Sequence, residues 1–258
     1  MKKNYLVPVL LTFMVWMLLP SCGSNMEKNT ALQAPETAQA DTLPAPAKTG
    51  AEDEDEAGEQ KAKAQKTGIR APIDASAATV SNLATAYTGE TTASAKYAAY
   101  AKKAQEEGFT QIALLFKATS ASEKIHANNH RSVLEDMGQA VPEVKPSFTV
   151  KTTKENLADA IAGESYEIST MYPEFLTTAN AADNQLALTS LNYAYRTEQR
   201  HKPLYEKALN ALQTNQLNTL SGQYYVCPTC GNTYDSTPPK RCRISMTNTE
   251  RFVKINTL

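Results

Sequence analysis

A nine-residue phrase occurs twice in this chain. Asn82 to Glu90 reads NLATAYTGE and Asn156 to Glu164 reads NLADAIAGE, identical at six of nine positions when the two are laid over each other without a gap. Each copy ends in glutamate. A second pair of matches follows at a matched distance. Glu123-Lys124-Ile125-His126 follows Glu90 much as Glu198-Gln199-Arg200-His201 follows Glu164, the second separation being longer by a single position. The chain therefore contains a duplicated unit, each copy carrying one Glu on its first segment and a Glu-x-x-His on its second.

Apolar residues recur at three- and four-residue spacing over 79–107, 109–137, 153–181 and 183–214, which predicts four long helices. Alanine is abundant and favours them. Gly108 is a stop for the first helix and Asp183 an N-cap for the last. The helices of each pair are joined by short turns, which makes them antiparallel neighbours. Between the pairs runs Gly138–Thr152, a linker with two prolines. Extended, it reaches ~50 Å, against ~44 Å for a helix of this length. The third helix can thus start at the opposite end of the bundle. Two helical hairpins joined by one long crossover make an all-α, ferritin-like four-helix bundle.

Residues three apart share a helix face, so each Glu-x-x-His presents a carboxylate and an imidazole inward. With Glu90 and Glu164 this gives the ligand pattern of ferritin-like di-iron carboxylate proteins. Four buried carboxylates are too costly to ionise unpaired. Two cations compensate them, and mixed carboxylate and imidazole donors suit iron and manganese. Glu167, three residues after Glu164, has Ala93 as its counterpart and adds an asymmetric carboxylate. Tyr97 follows Glu90 by seven positions and Tyr172 follows Glu164 by eight. Both point towards the same interior, placed to hydrogen-bond ligating carboxylates. His130, one turn after His126, is read as a surface residue.

The ends of the chain read differently. Lys2 and Lys3 precede an apolar stretch from Tyr5 to Leu19, then Leu19-Pro20-Ser21-Cys22. This is an export signal over 1–22, too short for a membrane span. Its end resembles a bacterial lipobox with Cys22 as the lipidated residue, which tethers an exported domain to a membrane surface. Residues 23–75 hold little bulky apolar material and include the acidic run Glu52–Glu56, the composition of a disordered tether. The formal net charge of −1 gives no electrostatic reason to expect nucleic acid.

The segments NLATAYTGETTASAKYAAYAKKAQEEGF, SEKIHANNH, AIAGESYEISTMYPEF and YRTEQRHKPLYEKAL resemble rubrerythrin. The resemblance covers roughly Thr79 to Leu212 and continues into the tail. It implies a ferritin-like domain over 76–216 and a small rubredoxin-like module of β-strands and knuckles over 221–258. By it, Glu90, Glu123, Glu164, Glu167 and Glu198 are carboxylate ligands of two irons, and His126 and His201 are imidazole ligands. Glu167 and His126 form the pair that alternates at one iron, and Tyr97 and Tyr172 assist. It also implies a homodimer or higher homo-oligomer in which one subunit's tail serves another's site.

The tail departs from the family pattern. Cys227-Pro228-Thr229-Cys230 forms a complete knuckle, but Cys242-Arg243-Ile244-Ser245 has serine where a fourth cysteine belongs. Three thiolates and one oxygen make a poorer iron site than four thiolates. Iron or zinc at Cys227, Cys230 and Cys242, no metal, and a disulfide are all open at this point.

The implied reaction is reduction of hydrogen peroxide to water by a reduced di-iron centre, fed by an electron donor that the sequence does not name. The alternatives are a ferroxidase or iron-handling protein without electron return, and a tethered binding module whose tail is only structural. The expected location is outside the cytoplasmic membrane, anchored by lipid alone.

Overall fold

The computed structural model describes residues 74–258. The export signal, Cys22 and all of the expected tether but Asp74 and Ala75 lie outside the described residues. No helix among the described residues is long and apolar enough to cross a membrane.

The helices are α1 (Ala75–Glu106), α2 (Thr110–Asp136), α3 (Thr153–Tyr166), α4 (Tyr172–Ala181) and α5 (Gln185–Gln213). A π-helical turn, Glu167–Met171, joins α3 to α4, so these form one rod and the bundle has four rods. Asp74 caps α1 by accepting from Ser76 N and Ala77 N, which starts the helix earlier than the apolar periodicity alone predicts. Thr152 and Glu155 form a capping box at α3.

All four rods end alike, the last at Asn215 (φ 55°), where Gln216 N returns to Ala211 O (2.8 Å). At Gly108 (φ +84°), Phe109 N returns to Ala104 O (2.8 Å), and at Gly138 (φ +68°), Gln139 N returns to Leu134 O (2.9 Å). Asp183 takes the same left-handed role (φ 52°) after α4, with Asn184 N reaching Ala179 O (3.1 Å). This Schellman closure consumes Asp183. The N-cap of α5 is therefore Asn184, whose side chain accepts from Ala187 N, and not Asp183 as the sequence suggested.

The crossover runs the length of the bundle. It leaves α2 beside the start of α5, where Asn184 Nδ2 meets Met137 Sδ (3.3 Å). It ends beside the C-terminus of α1, where Thr153 N donates to Glu107 Oε2 (2.9 Å). Two apolar clusters fill the bundle. One gathers Tyr97, Tyr100, Leu115, Phe116, Leu157 and Tyr205; the other gathers Leu83, Leu134, Tyr172, Phe175 and Leu191. On every rod, the Glu and His residues singled out by the repeat lie between the two.

After α5 the chain forms a small antiparallel sheet of order β2-β1-β3, from β1 (Tyr224–Val226), β2 (Thr233–Tyr234) and β3 (Val253–Ile255). This mostly helical architecture with a small sheet is the ferritin-like bundle and rubredoxin-like module that the sequence implied.

Candidate metal centres

Two groups of four buried donors meet at the middle of the bundle. Glu90, Glu123, His126 and Glu198 form one; Glu123, Glu164, Glu198 and His201 form the other. Glu123 and Glu198 belong to both. Each offers one oxygen to each histidine. Glu123 Oε2 lies 2.9 Å from His126 Nδ1 and Oε1 lies 3.1 Å from His201 Nδ1. Glu198 Oε1 lies 2.9 Å from His126 Nδ1 and Oε2 lies 2.8 Å from His201 Nδ1. Two donors at right angles on one cation, each ~2.1 Å from it, stand about 3 Å apart. The arrangement is that of two adjacent cation positions bridged by two carboxylates.

The hydrogen-bonding state of these atoms tests the fit. Both oxygens of Glu123 and of Glu198, Glu90 Oε2, Glu164 Oε2, and Nδ1 of both histidines are buried without a hydrogen-bond partner. Buried polar atoms are almost always paired, so such a concentration calls for an explanation. Cations that accept their lone pairs supply one.

Electrostatics agree. Burial, then Glu167 and Glu198, push Glu90 well above the usual carboxylate range. Burial, then Glu198 and Glu167, do the same to Glu164. Burial opposes ionisation of Glu198 too, but His126 and His201 outweigh it and hold that carboxyl at about 2. Burial pulls His201 down, yet Glu123 and Glu198 raise it to about 9. Without cations the cluster must take up protons to offset its charge.

The imidazoles are fixed from behind by the tail. His126 Nε2 donates to Cys230 O (3.0 Å), and His201 Nε2 lies 3.1 Å from Thr233 Oγ1. These bonds hold Nε2–H outward and leave Nδ1 facing the carboxylates. Ser122 Oγ donates to Gly231 O (2.8 Å) and Thr197 Oγ1 to Cys230 O (3.0 Å), pinning the same turn against α2 and α5. Gly231 makes the approach possible. Its φ is +77°, and a Cβ there would lie 2.5 Å from His126 Nε2 and from Ser122 Oγ.

Tyr97 Oη donates to Glu164 Oε1 (3.0 Å), and Tyr172 Oη donates to Glu90 Oε1. Burial, then the neighbouring carboxylates, raise both phenols, so they keep their protons. Glu167 opens the π turn and stands outside both donor groups, half-buried, so His126 and not Glu167 faces the first position. The π turn inserts one residue into the second unit. That insertion is why Tyr172 follows Glu164 by eight where Tyr97 follows Glu90 by seven.

The surface placement of His130 is corrected. The side chain is fully buried, with Nδ1 2.8 Å from Ser190 Oγ and Nε2 3.3 Å from Tyr172 Oη. A position four residues after His126 shares its inward face, and that signal was present in the sequence. Ser122, Thr197 and Thr233 were not singled out; their partners lie in distant segments, and no local pattern marks them.

In the tail, Cys227, Cys230 and Cys242 are buried, free, and close enough together to hold one cation. Cys230 Sγ and Cys242 Sγ are 3.5 Å apart, far beyond a disulfide bond. Two thiolates on a tetrahedral cation ~2.3 Å away stand about 3.8 Å apart. Ser245 Oγ completes the set, 3.3 Å from Cys227 Sγ and 2.9 Å from Thr247 Oγ1. Hydrogen bonds from Cys227 and Cys230 lower the Cys242 thiol, and hydrogen bonds to Cys227 and Cys242 raise that of Cys230.

The rubrerythrin family model matches residues 81–209. The curated protein Rubrerythrin-2 of Clostridium acetobutylicum is 33% identical over 177 residues, 68% of this chain and 96% of that one. This chain belongs to the rubrerythrin family. Nigerythrin of Nitratidesulfovibrio vulgaris is 34% identical over 176 residues, 67% of this chain and 85% of its own length. A solved structure of nigerythrin in the fully reduced, all-ferrous state superposes with a TM-score of 0.62 at 33% identity, covering 68% of this chain and 86% of that one. Rubrerythrins are di-iron oxidoreductases, and the buried cluster is where this chain would hold its two irons. The cysteine site is a second place where a rubrerythrin such as this one can bind a metal.

Proposed function

We propose that this chain is a peroxidase that reduces hydrogen peroxide to water at the cell envelope. The observation that carries the reading is the complete double donor set, with Glu123 and Glu198 shared between two positions. The reaction consumes one peroxide, two electrons and two protons and yields two waters. Two bound irons would supply the two electrons and polarise the O–O bond. Everything else falls to the chain. Glu90 and Glu164 hold the outer edges of the site. Tyr172 and Tyr97 keep protons at those two carboxylates. His126 belongs to the first donor group and Glu167 stands outside it; the two would serve that position in turn, as the resemblance implies. The apolar clusters above and below exclude water.

The peptide of Cys230 links the cysteine site to His126 directly, which supports return of electrons through the tail. A different observation favours a second reading, a ferroxidase without electron return: Ser245 stands where a fourth thiolate would tighten that entry point. Supplying the full chain with peroxide and a chemical reductant under anaerobic conditions separates the two. Sustained consumption over many equivalents supports the peroxidase. A single equivalent per centre followed by arrest overturns it in favour of the ferroxidase.

The envelope location rests on Lys2, Lys3, the apolar stretch and Cys22. Labelling with a fatty acid in cells should mark the wild-type chain and not Cys22→Ala; equal labelling removes the anchor. The resemblance also supports a homo-oligomer, which sedimentation of the chain without residues 1–22 would detect and a monomer would refute.

A further inference from the structure

Behind Glu90 lies a row of hydrogen bonds that the di-iron reading does not use. Tyr172 Oη donates to Glu90 Oε1, His130 Nε2 lies 3.3 Å from that same Oη, and Ser190 Oγ lies 2.8 Å from His130 Nδ1. The directions can be assigned. A ligating carboxylate only accepts, so the single Tyr172 proton goes to Glu90. The phenol oxygen then has only lone pairs to offer His130, and Nε2 must be the protonated nitrogen. A neutral ring with Nε2–H has a bare Nδ1, which accepts from the Ser190 hydroxyl. Burial, the first cause, lowers His130 below the usual imidazole range and favours the neutral ring. Every donor in the row points towards Glu90.

The other end of the cluster lacks this device. Tyr97 donates to Glu164 (3.0 Å). Packed against its ring are the rings of Tyr100, Phe116 and Tyr205. One turn after His201 stands Tyr205 where the first unit has His130, and its hydroxyl donates to Thr119 Oγ1 (2.6 Å) rather than to Tyr97. The duplicated site is therefore braced on one side only.

We propose that His130 is a positioning residue: by donating to Tyr172 it obliges the phenol to donate to Glu90, and so fixes the carboxylate that bounds the first metal position. This rests on the two-metal reading above.

Two measurements on the full chain test the proposal. Nitrogen-15 NMR of the zinc-loaded protein at neutral pH should show His130 as the neutral tautomer with Nε2 protonated and Nδ1 bare. A protonated Nδ1 overturns the proposal. Anaerobic titration with cobalt(II) should then compare two variants. His130→Leu keeps apolar bulk but loses the donor, and should weaken one of the two cobalt equivalents about tenfold while sparing the other, the low end of the effect of outer hydrogen-bond partners on metal affinity. His130→Gln keeps an N–H donor and should recover most of that loss. Unchanged binding in the Leu variant, or no recovery with Gln, overturns the proposal, the latter because it would leave only a packing role. Should His130→Leu fail to fold, the tautomer measurement on the wild-type protein decides the proposal. A wild-type chain that takes up fewer than two cobalt ions counts against the two-metal reading itself, and the tautomer then decides the brace alone.

Discussion

The donors in the bundle come from all four rods, while those in the tail come from two turns. Glu90, Glu123, His126, Glu164, Glu198 and His201 sit within the rods, away from their ends, and each histidine has a hydrogen-bond partner outside the cluster. Cys227 and Cys230 share one turn, and Cys242 and Ser245 another, with the fourth donor an oxygen. The bundle site is thus a property of the whole fold. The tail site is a property of local loops, which can exchange a donor without disturbing the rest of the chain.

Removal of a shared donor breaks this comparison most directly. Glu198→Ala should reduce metal content from two per chain to none, because that carboxylate belongs to both positions and offsets both histidines. Glu164→Ala removes a donor from one position only and should leave about one metal per chain, with peroxide turnover lost in both variants. Metal analysis of anaerobically loaded protein checks this. Two metals retained in Glu198→Ala would mean the cluster does not act as a bridged pair.

Stripping the metals should cost less than a lost fold, but the cost should grow with pH. Glu90 and Glu164 are raised in the folded metal-free chain, and His201 is raised to about 9. Groups raised on folding contribute stability that is full below their unfolded values and is lost as pH rises through the folded ones. Metal binding instead releases protons and gains with pH. A metal at a hundredfold excess over its dissociation constant contributes about 2.7 kcal/mol, which is about 5–11 °C in Tm for a domain of this size. The gap between loaded and stripped protein should therefore widen from pH 6 to pH 9. A gap that narrows over that range would show that the buried carboxyls are not protonated in the stripped form.

How much of this was legible in the sequence depends on whether the partner is local. Helical periodicity fixes which residues share a face, so the repeated phrase and the two Glu-x-x-His motifs were enough to put Glu90, Glu123, Glu164, Glu198, His126 and His201 together, and to aim Tyr97 and Tyr172 at them. The same periodicity pointed His130 inward, but a titratable side chain next to a motif was read as solvated. The unequal spacings, from Glu to Glu-x-x-His and from Glu to Tyr, are each longer by one position in the second unit. They recorded the π turn at Glu167–Met171 as a single insertion. A chain-wide helical reading had no means of locating it. Asp183 and Asn184 were exchanged because both residue types cap helices, and the left-handed requirement of the preceding rod decides between them. The contacts of Ser122, Thr197 and Gly231 run between distant segments and involve backbone atoms, and backbone acceptors carry no sequence signature.

The tail's hold on His126 gives the next prediction. Gly231→Ala places a Cβ against His126 Nε2 and Ser122 Oγ in a left-handed conformation, so the turn must withdraw. His126 then loses Cys230 O as its partner. Loss of such partners lowers metal affinity ~10–100-fold, and the loss should fall on the position bounded by His126, measured by the same cobalt titration. Equal weakening at both positions would mean that the tail braces the bundle as a whole.

Ser245→Cys should have the smallest effect on the bundle and sharpens the contrast from the other side. With four thiolates the tail becomes a site that selects iron or zinc tightly. With serine, the fourth donor is a neutral hydroxyl that binds weakly unless a cation deprotonates it. Its hydrogen bond to Thr247 Oγ1 (2.9 Å) holds that hydroxyl in the wild-type chain. The wild-type tail should therefore bind iron weakly or prefer zinc, and the variant should gain tight iron with a red, rubredoxin-like absorption. Metal content and absorption of the bundle centre should be the same in both proteins, because none of its donors lies on the turn that changes. Peroxide turnover with a rubredoxin-type reductant should rise in the variant, since Cys230 already touches His126 through its carbonyl (3.0 Å). A wild-type chain that already shows the full rubredoxin spectrum would establish Ser245 as a competent fourth ligand. A variant with a tight tail iron and unchanged turnover would show that electrons reach the bundle by a route other than Cys230.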